Sequence, residues 1–329
     1  MNTLPPGFTV RAPSMDELAL VFDIITASDI AIYGAPEPGN TLEDLRHSWK
    51  SPGHNLETDG WVVLSPEGSI IAANGVWNMQ HVHYYTHPSI HPRYSGLGIG
   101  RLLLQLAEKR ARQSMDEAPP RARVTLNSGI VNIDKAAQQR LEQEKFSLVR
   151  RSWRMEIEMT GAPPEPQWPQ SIEVRTLISG KEERAVFDAT DEAFQDHWGH
   201  IPGNFEQWKH WTIERNDFDP SLWFLACDGD NIAGTSLCEY QTENMGWVND
   251  LVVRRPWRRQ GLGMALLYHS FGEFYRRGTK KVGLEVDSQN LTGATRLYER
   301  VGMHVARRYD RYEKELRPGI ELSTQSLSS

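Results

Sequence analysis

The segment from Val248 to Leu267 constrains the fold of this chain more than any other. An apolar strand, with Val248, Leu251, Val252 and Val253, runs into the turn Arg254-Arg255-Pro256-Trp257-Arg258-Arg259-Gln260-Gly261-Leu262-Gly263. That basic, glycine-punctuated turn opens directly into an apolar helix. The first N–H groups of a helix have no intrahelical acceptor, and the helix dipole puts partial positive charge there. A strand, a tight turn and a helix in this order therefore make a cradle for a pyrophosphate. Gly261 and Gly263 let an anion approach the backbone with no Cβ in the way, and Arg258 and Arg259 add charge at the rim. The turn lacks the Gly-Lys-Ser/Thr of a nucleotide-triphosphate loop and the third glycine of a dinucleotide turn.

A second segment narrows the reading. Val282, Leu284 and Val286 alternate as a strand, Asn290 follows, and Ala294, Leu297 and Tyr298 lie on a short helical stretch that closes at Gly302, a C-cap glycine. Together, Arg258-x-x-Gly261-x-Gly263 and this Asn290…Ala294-x-x-Leu297-Tyr298-Glu299 string resemble the two signature motifs of the GNAT N-acetyltransferases. The resemblance implies an α/β fold whose central sheet is mixed, mostly antiparallel and flanked by helices. It implies acetyl-CoA, or another acyl-CoA, as co-substrate. On a bulged strand splayed from its neighbour, the amides of Leu251, Val252 and Val253 would bind the thioester carbonyl and pantetheine arm. The backbone N–H groups of Arg259, Gln260, Gly261, Leu262, Gly263 and Met264 would hold the pyrophosphate. Asn290 would contact the pantetheine arm, and Tyr298 would protonate the departing sulfur.

The same plan occurs twice. His87–Leu104 repeats the strand, Gly-x-Gly turn and apolar helix, placing Gly98 opposite Gly261, Gly100 opposite Gly263 and Ile90 opposite Val253. Phe8–Arg11 opens like Ile172–Arg175, and Phe146–Met155 closes like Met303–Tyr312. Each half reads as a strand, two helices, a three-stranded meander, the pyrophosphate helix, a strand, a helix and two closing strands. Between the halves, Thr160–Gln170 carries four prolines and reads as a stiff extended linker. The expected domains are residues 1–160, a linker over 161–170 with the boundary near 165, a catalytic domain over 171–318 and a frayed tail over 319–329. The arrangement resembles two-domain GNAT proteins of the mycothiol synthase type. The first half departs from the motif: Leu141 stands in the place of Tyr298, Ser95 in that of Arg258, and Pro88, which has no N–H, in that of Leu251. It is expected to be degenerate and catalytically inactive.

The acceptor side is less defined. Relatives of the mycothiol synthase type keep a glutamate early on the fourth strand, where this chain has Trp247, so Asp250 and Glu239 are the candidate bases. Phe194, Asp196, His197 and Trp198 are expected to wall the acceptor pocket, with Phe194 and Trp198 four apart on one helix face. Asp191, Glu192 and Asp196 would suit a cationic amine, although a solvated acidic helix face explains them equally. The Asp196–Gly199 segment can form a turn overhanging the cleft, and His197 is a further candidate base.

Composition limits the function. The net charge of −7 over 329 residues argues against nucleic acid as a partner. No apolar run is long enough to span a membrane. Cys227 and Cys238 lack metal or redox spacing and read as reduced core thiols on neighbouring strands. His81, His83, His87 and His91 are interrupted by prolines and have no carboxylate or cysteine among them, so no metal is expected. Without a leader-like N-terminus, a cytoplasmic monomer or homodimer is the expectation. The sequence thus points to an acyl-CoA-dependent N-acyltransferase acting on a primary amine of a small molecule or peptide, by direct attack in a ternary complex. A non-catalytic acyl-CoA-binding module and an O-acyltransferase remain open.

Overall fold

The computed structural model describes residues 4–290 and 293–326, which form two compact units. One comprises the residues up to Arg150 together with Tyr309–Leu322; the other comprises Arg151–Arg308 with the segment from Ser323 onward. The first sequence half supplies β1 (Thr9–Arg11), α1 (Leu18–Tyr33), α2 (Leu42–Trp49), α3 (Leu56–Asp59), β2 (Gly60–Leu64), β3 (Ile70–Met79), β4 (His83–Thr86), β5 (Ser89–Ile90), α4 (Ile99–Ser114), β6 (Val124–Val131), α5 (Lys135–Gln143) and β7 (Ser147–Glu158). The second supplies β8 (Ile172–Thr176), α6 (Glu183–Phe194), α7 (Phe205–Thr212), β9 (Trp223–Asp228), β10 (Asn231–Thr242), β11 (Met245–Val253), α8 (Leu262–Arg276), β12 (Lys281–Asp287), α9 (Ala294–Arg300) and β13 (His304–Arg317).

Both units follow one plan, as the duplicated sequence predicts. In the N-terminal unit β1, β2, β3 and β4 pair antiparallel in order, β4 pairs parallel with β6, and β6 pairs antiparallel with β13. In the C-terminal unit β8, β9, β10 and β11 pair antiparallel, β11 pairs parallel with β12, and β12 pairs antiparallel with β7. The last strand of each unit therefore comes from the other half of the sequence. Each half also ends in one continuous strand where two were expected. Ser147–Glu158 and His304–Arg317 contain no glycine, proline or asparagine to turn the chain, so the backbone stays extended.

The C-terminal core forms because apolar positions on α8 recur every three to four residues and meet the alternating inward positions of the strands. Leu262, Leu266, Phe271 and Phe274 pack on Phe224, Val248, Leu284 and Val286. On the opposite sheet face, Val186 and Ala189 of α6 cover Trp223, Leu225 and Leu237. Cys227 and Cys238 are buried free thiols on the neighbouring strands β9 and β10. Among the described residues, no helix is long and apolar enough to cross a membrane.

Two departures from regular pairing position the site. Val248 lies opposite Cys238 and Asp250 opposite Leu237, so Asn249 is an extra residue on β11, a β-bulge. β11 is in register with β12 only over Met245–Trp247. Beyond that, the two strands part and leave the end of β11 without a neighbour on that side.

Candidate active site

A cavity of about 580 Å³ opens where β11 leaves β12. Leu251, Val252 and Val253 line one side, with Arg258, Arg259, Gly261, Leu262, Gly263 and Met264 at the following turn and first turn of α8. Tyr298 and His197 complete it. The turn is built as an anion nest. Arg259 has φ 63° and Gly261 has φ 86°, so left-handed residues interrupt the chain just before α8, whose N-cap is Gly261. Such alternation points successive N–H groups into one concavity. A Cβ on Gly263 would lie 3.3 Å from Leu297, so this glycine keeps the first turn of the helix close to α9.

Gln260, Asn290, Asp250, Glu239, Phe194, Asp196 and Trp198 do not line the cavity. The Gln260 side chain donates to the carbonyl of Pro256 (3.2 Å), and the Asn290 side-chain oxygen accepts from the amide of Ala294 (3.3 Å). Sequence reasoning missed Arg296 and Arg300, which line the cavity from α9. Their i, i+4 spacing was the available signal, since it puts both guanidiniums on one helix face.

Tyr298 is buried, and burial pushes its phenol up to about 12, so it stays protonated at physiological pH. The ring of His197 lies edge-on to Phe194, with centroids 4.5 Å apart. Burial, with the neighbouring Arg258 cation second, lowers it to about 4, so it is neutral. Asp250 and Glu239 line a separate small recess with Trp223 and Phe218, on the face covered by α6 and α7. Burial first, then the Glu239 charge, raises Asp250 to about 6. Trp247 carries the Arg154 guanidinium stacked 4.7 Å from its ring centroid.

The acidic wall expected for a cationic acceptor is absent as such. Asp196 is buried and takes hydrogen bonds from Arg255 (2.6 and 2.9 Å) and Arg258 (2.5 Å), which hold it well below the usual carboxylate range. Glu192 accepts from Arg254 (2.6 and 2.9 Å), and Asp191 accepts from the amide of Gly203 (2.7 Å). A buried carboxylate needs such partners to offset its desolvation. Arg258, expected as rim charge, is spent in this network; it also donates to the carbonyls of Val253 (2.9 Å) and Ala193 (3.3 Å). It ties α6 to the end of β11.

Phe194 and Trp198 do not share a helix face, because α6 ends at Phe194 and a turn follows. The C-terminal segment holds that turn and is not frayed there. The Gly199 amide donates to the Thr324 carbonyl (2.7 Å), the Thr324 amide to the His200 carbonyl (2.9 Å), and the Trp198 indole to Gln325 (2.8 Å). Among the described residues, no group of three or more His, Cys, Asp or Glu side chains gathers as a metal site.

The splayed strand, the nest and the buried tyrosine agree with the comparison to known families. The acetyltransferase (GNAT) family matches over residues 24–123 and again over 184–303. The chain belongs to this family. It is an N-acetyltransferase, and its relatives use an acyl-CoA such as acetyl-CoA. It is 38% identical to a GCN5-related N-acetyltransferase from Sphaerobacter thermophilus, with a TM-score of 0.82 over 98% of this chain and 100% of that one. It is 27% identical over 231 residues to the mycothiol acetyltransferase of Thermobispora bispora, covering 65% of this chain and 70% of that protein. A tandem GNAT protein from the clavulanic acid biosynthesis pathway, 16% identical over 95% of this chain and 100% of that one, shares the fold with a TM-score of 0.73.

Proposed function

We propose that the C-terminal unit transfers an acetyl group from acetyl-CoA to a primary amine of a small molecule, by direct attack in a ternary complex. One observation carries this reading: a single cavity joins the unpaired end of β11, the nest before α8 and the buried hydroxyl of Tyr298. The nest amides from Arg259 to Met264 would hold the pyrophosphate, with Arg296 and Arg300 adding charge. By strand alternation the amides of Leu251 and Val253 face the side that β12 has left and would stabilise negative charge on the thioester oxygen during attack. An alkyl ammonium, with a pKa of about 10, must lose its proton before it attacks. Asp250, raised to about 6, is ionised at neutral pH; it stands in the recess at the bulge, next in the chain to Leu251 of the cavity, and would take that proton only through a water. As the carbon–sulfur bond breaks, the Tyr298 proton would pass to the thiolate. The likeness to a mycothiol acetyltransferase supports a small-molecule amine over a peptide.

The test is release of free thiol from acetyl-CoA across a panel of amines. We expect at least one small primary amine to be acetylated. Tyr298→Phe should then lower kcat by about 10²-fold with acetyl-CoA affinity unchanged. An unchanged kcat sinks the proton-donor role, and binding of acetyl-CoA without transfer to any amine favours a non-catalytic module.

A further inference from the structure

The N-terminal unit has a cleft of its own, and its chemistry differs from that of the other. A cavity of about 630 Å³ lies among α1, β5, α4, β6 and α5. The backbone repeats the nest: Gly96 has φ 81° and Gly98 has φ 79°, in the places of Arg259 and Gly261. The equivalence extends to side chains. A Cβ on Gly263 would meet Leu297; a Cβ on Gly100 would meet Arg140 at 2.8 Å. Arg140 therefore occupies the place that Leu297 holds in the C-terminal unit, and it brings a cation to a position that is apolar there.

One donor of that cation is unsatisfied. Nε of Arg140 is buried with no hydrogen-bond partner among the described residues. The hydroxyl of Ser128, whose residue is only 1% exposed, lines the same cavity and also has no partner. Buried donors left unpaired are costly, and the common resolution is a bound acceptor. Burial first, with Arg140 a lesser cause, lowers the His87 imidazole, whose Nδ1 bonds the Gly129 carbonyl (3.0 Å). Asp134, whose charge acts on Arg140, also caps α5 by accepting from the amide of Ala137 (2.8 Å). Ile32, Ile90, Ile130 and Leu141 supply an apolar stretch of a wall that also carries Ser28, Arg101 and Gln139.

We propose that this cleft is a separate binding site for a small molecule bearing a carboxylate or phosphate, held by the Arg140 guanidinium and the Ser128 hydroxyl. The ligand's oxyanion fills both orphan donors, and an apolar body of a few carbons fits the surrounding wall. A charge-assisted bond to a guanidinium is stronger than a neutral one, so Arg140 dominates the affinity.

The full-length protein is titrated calorimetrically with butyrate, with inorganic phosphate and with acetyl-CoA. The variants are Arg140→Leu, which copies the residue of the other unit, and Ser128→Ala. We expect saturable binding of butyrate or phosphate at millimolar concentration, weakened at least ten-fold by Arg140→Leu and several-fold by Ser128→Ala. Acetyl-CoA binding should be unaffected. The proposal is overturned if neither oxyanion binds, if the variants bind it like the wild type, or if Arg140→Leu weakens acetyl-CoA binding in the same proportion. If Arg140→Leu fails to fold, Arg140→Lys, which keeps the charge and loses Nε, should still weaken butyrate or phosphate binding several-fold, and wild-type affinity in that variant overturns the guanidinium as the anchor.

Discussion

Asp250 carries two consequences that separate its chemistry from its cost to the fold. Its carboxyl is raised from the ordinary 3.8 to about 6, so the folded state holds a proton more tightly than the unfolded state does. Stability from this group is full at acid pH, below the unfolded value, and is lost as pH rises through 6. At pH 7 the ionised side chain costs on the order of 2–3 kcal/mol. Asp250→Asn should therefore raise the denaturant midpoint at pH 7 and leave it unchanged near pH 3. The same variant should remove the acid limb near pH 6 from the kcat/KM profile. Asp196 has the opposite sign. Its carboxylate is held charged by Arg255 and Arg258, so Asp196→Ala should destabilise by about 2–3 kcal/mol, read as a lowered midpoint with an unchanged denaturant slope. Neither sign was legible in the sequence. Asp196 read as an acceptor carboxylate because its two arginines lie 59 and 62 residues away.

At the scale of elements, the wall facing the cavity is held by pieces that are remote in the chain. The turn after α6 places His197 on the cavity, and Thr324 pairs with both Gly199 and His200. Ending the chain after Leu322 should loosen this turn and lower kcat/KM for the amine about ten-fold, since small displacements of a positioning group carry costs of that size. Steady-state kinetics with the acetylated amine would show it, and unchanged kcat/KM would leave the clasp without a role in acceptor binding. The pyrophosphate turn, by contrast, is local. Gly261 and Gly263 announced it: Gly261 takes a left-handed backbone that few other residues accept, and Gly263 leaves room for Leu297. Arg259 was the surprise, a left-handed non-glycine residue where the other unit has Gly96. Arg259→Gly should stabilise the turn by up to about 1 kcal/mol.

For the whole molecule, the exchange of closing strands means that neither half of the sequence is a complete folding unit. A fragment ending at Arg150 lacks Tyr309–Arg317 and leaves β6 with an unpaired edge, which is open to aggregation. Expressed alone, it should be insoluble or unfolded by circular dichroism, and a peptide spanning 304–322 supplied in trans should recover it. The duplicated plan, the two Gly-x-Gly turns and the membership of the GNAT family were all readable from the chain. Each rests on local chemistry: alternation that makes strands, apolar spacing that makes helices, and glycines that free the backbone for an anion. Tertiary structure alone decided which strand closes which unit, because strand pairing is set by distant partners and both closing strands have the same pattern. It alone neutralised the acidic wall, bound the C-terminal segment to the turn after α6 and left Arg140 Nε and the Ser128 hydroxyl unpaired among the described residues. Those outcomes depend on burial and on charges brought together from far along the chain, and no spacing in the sequence encodes them.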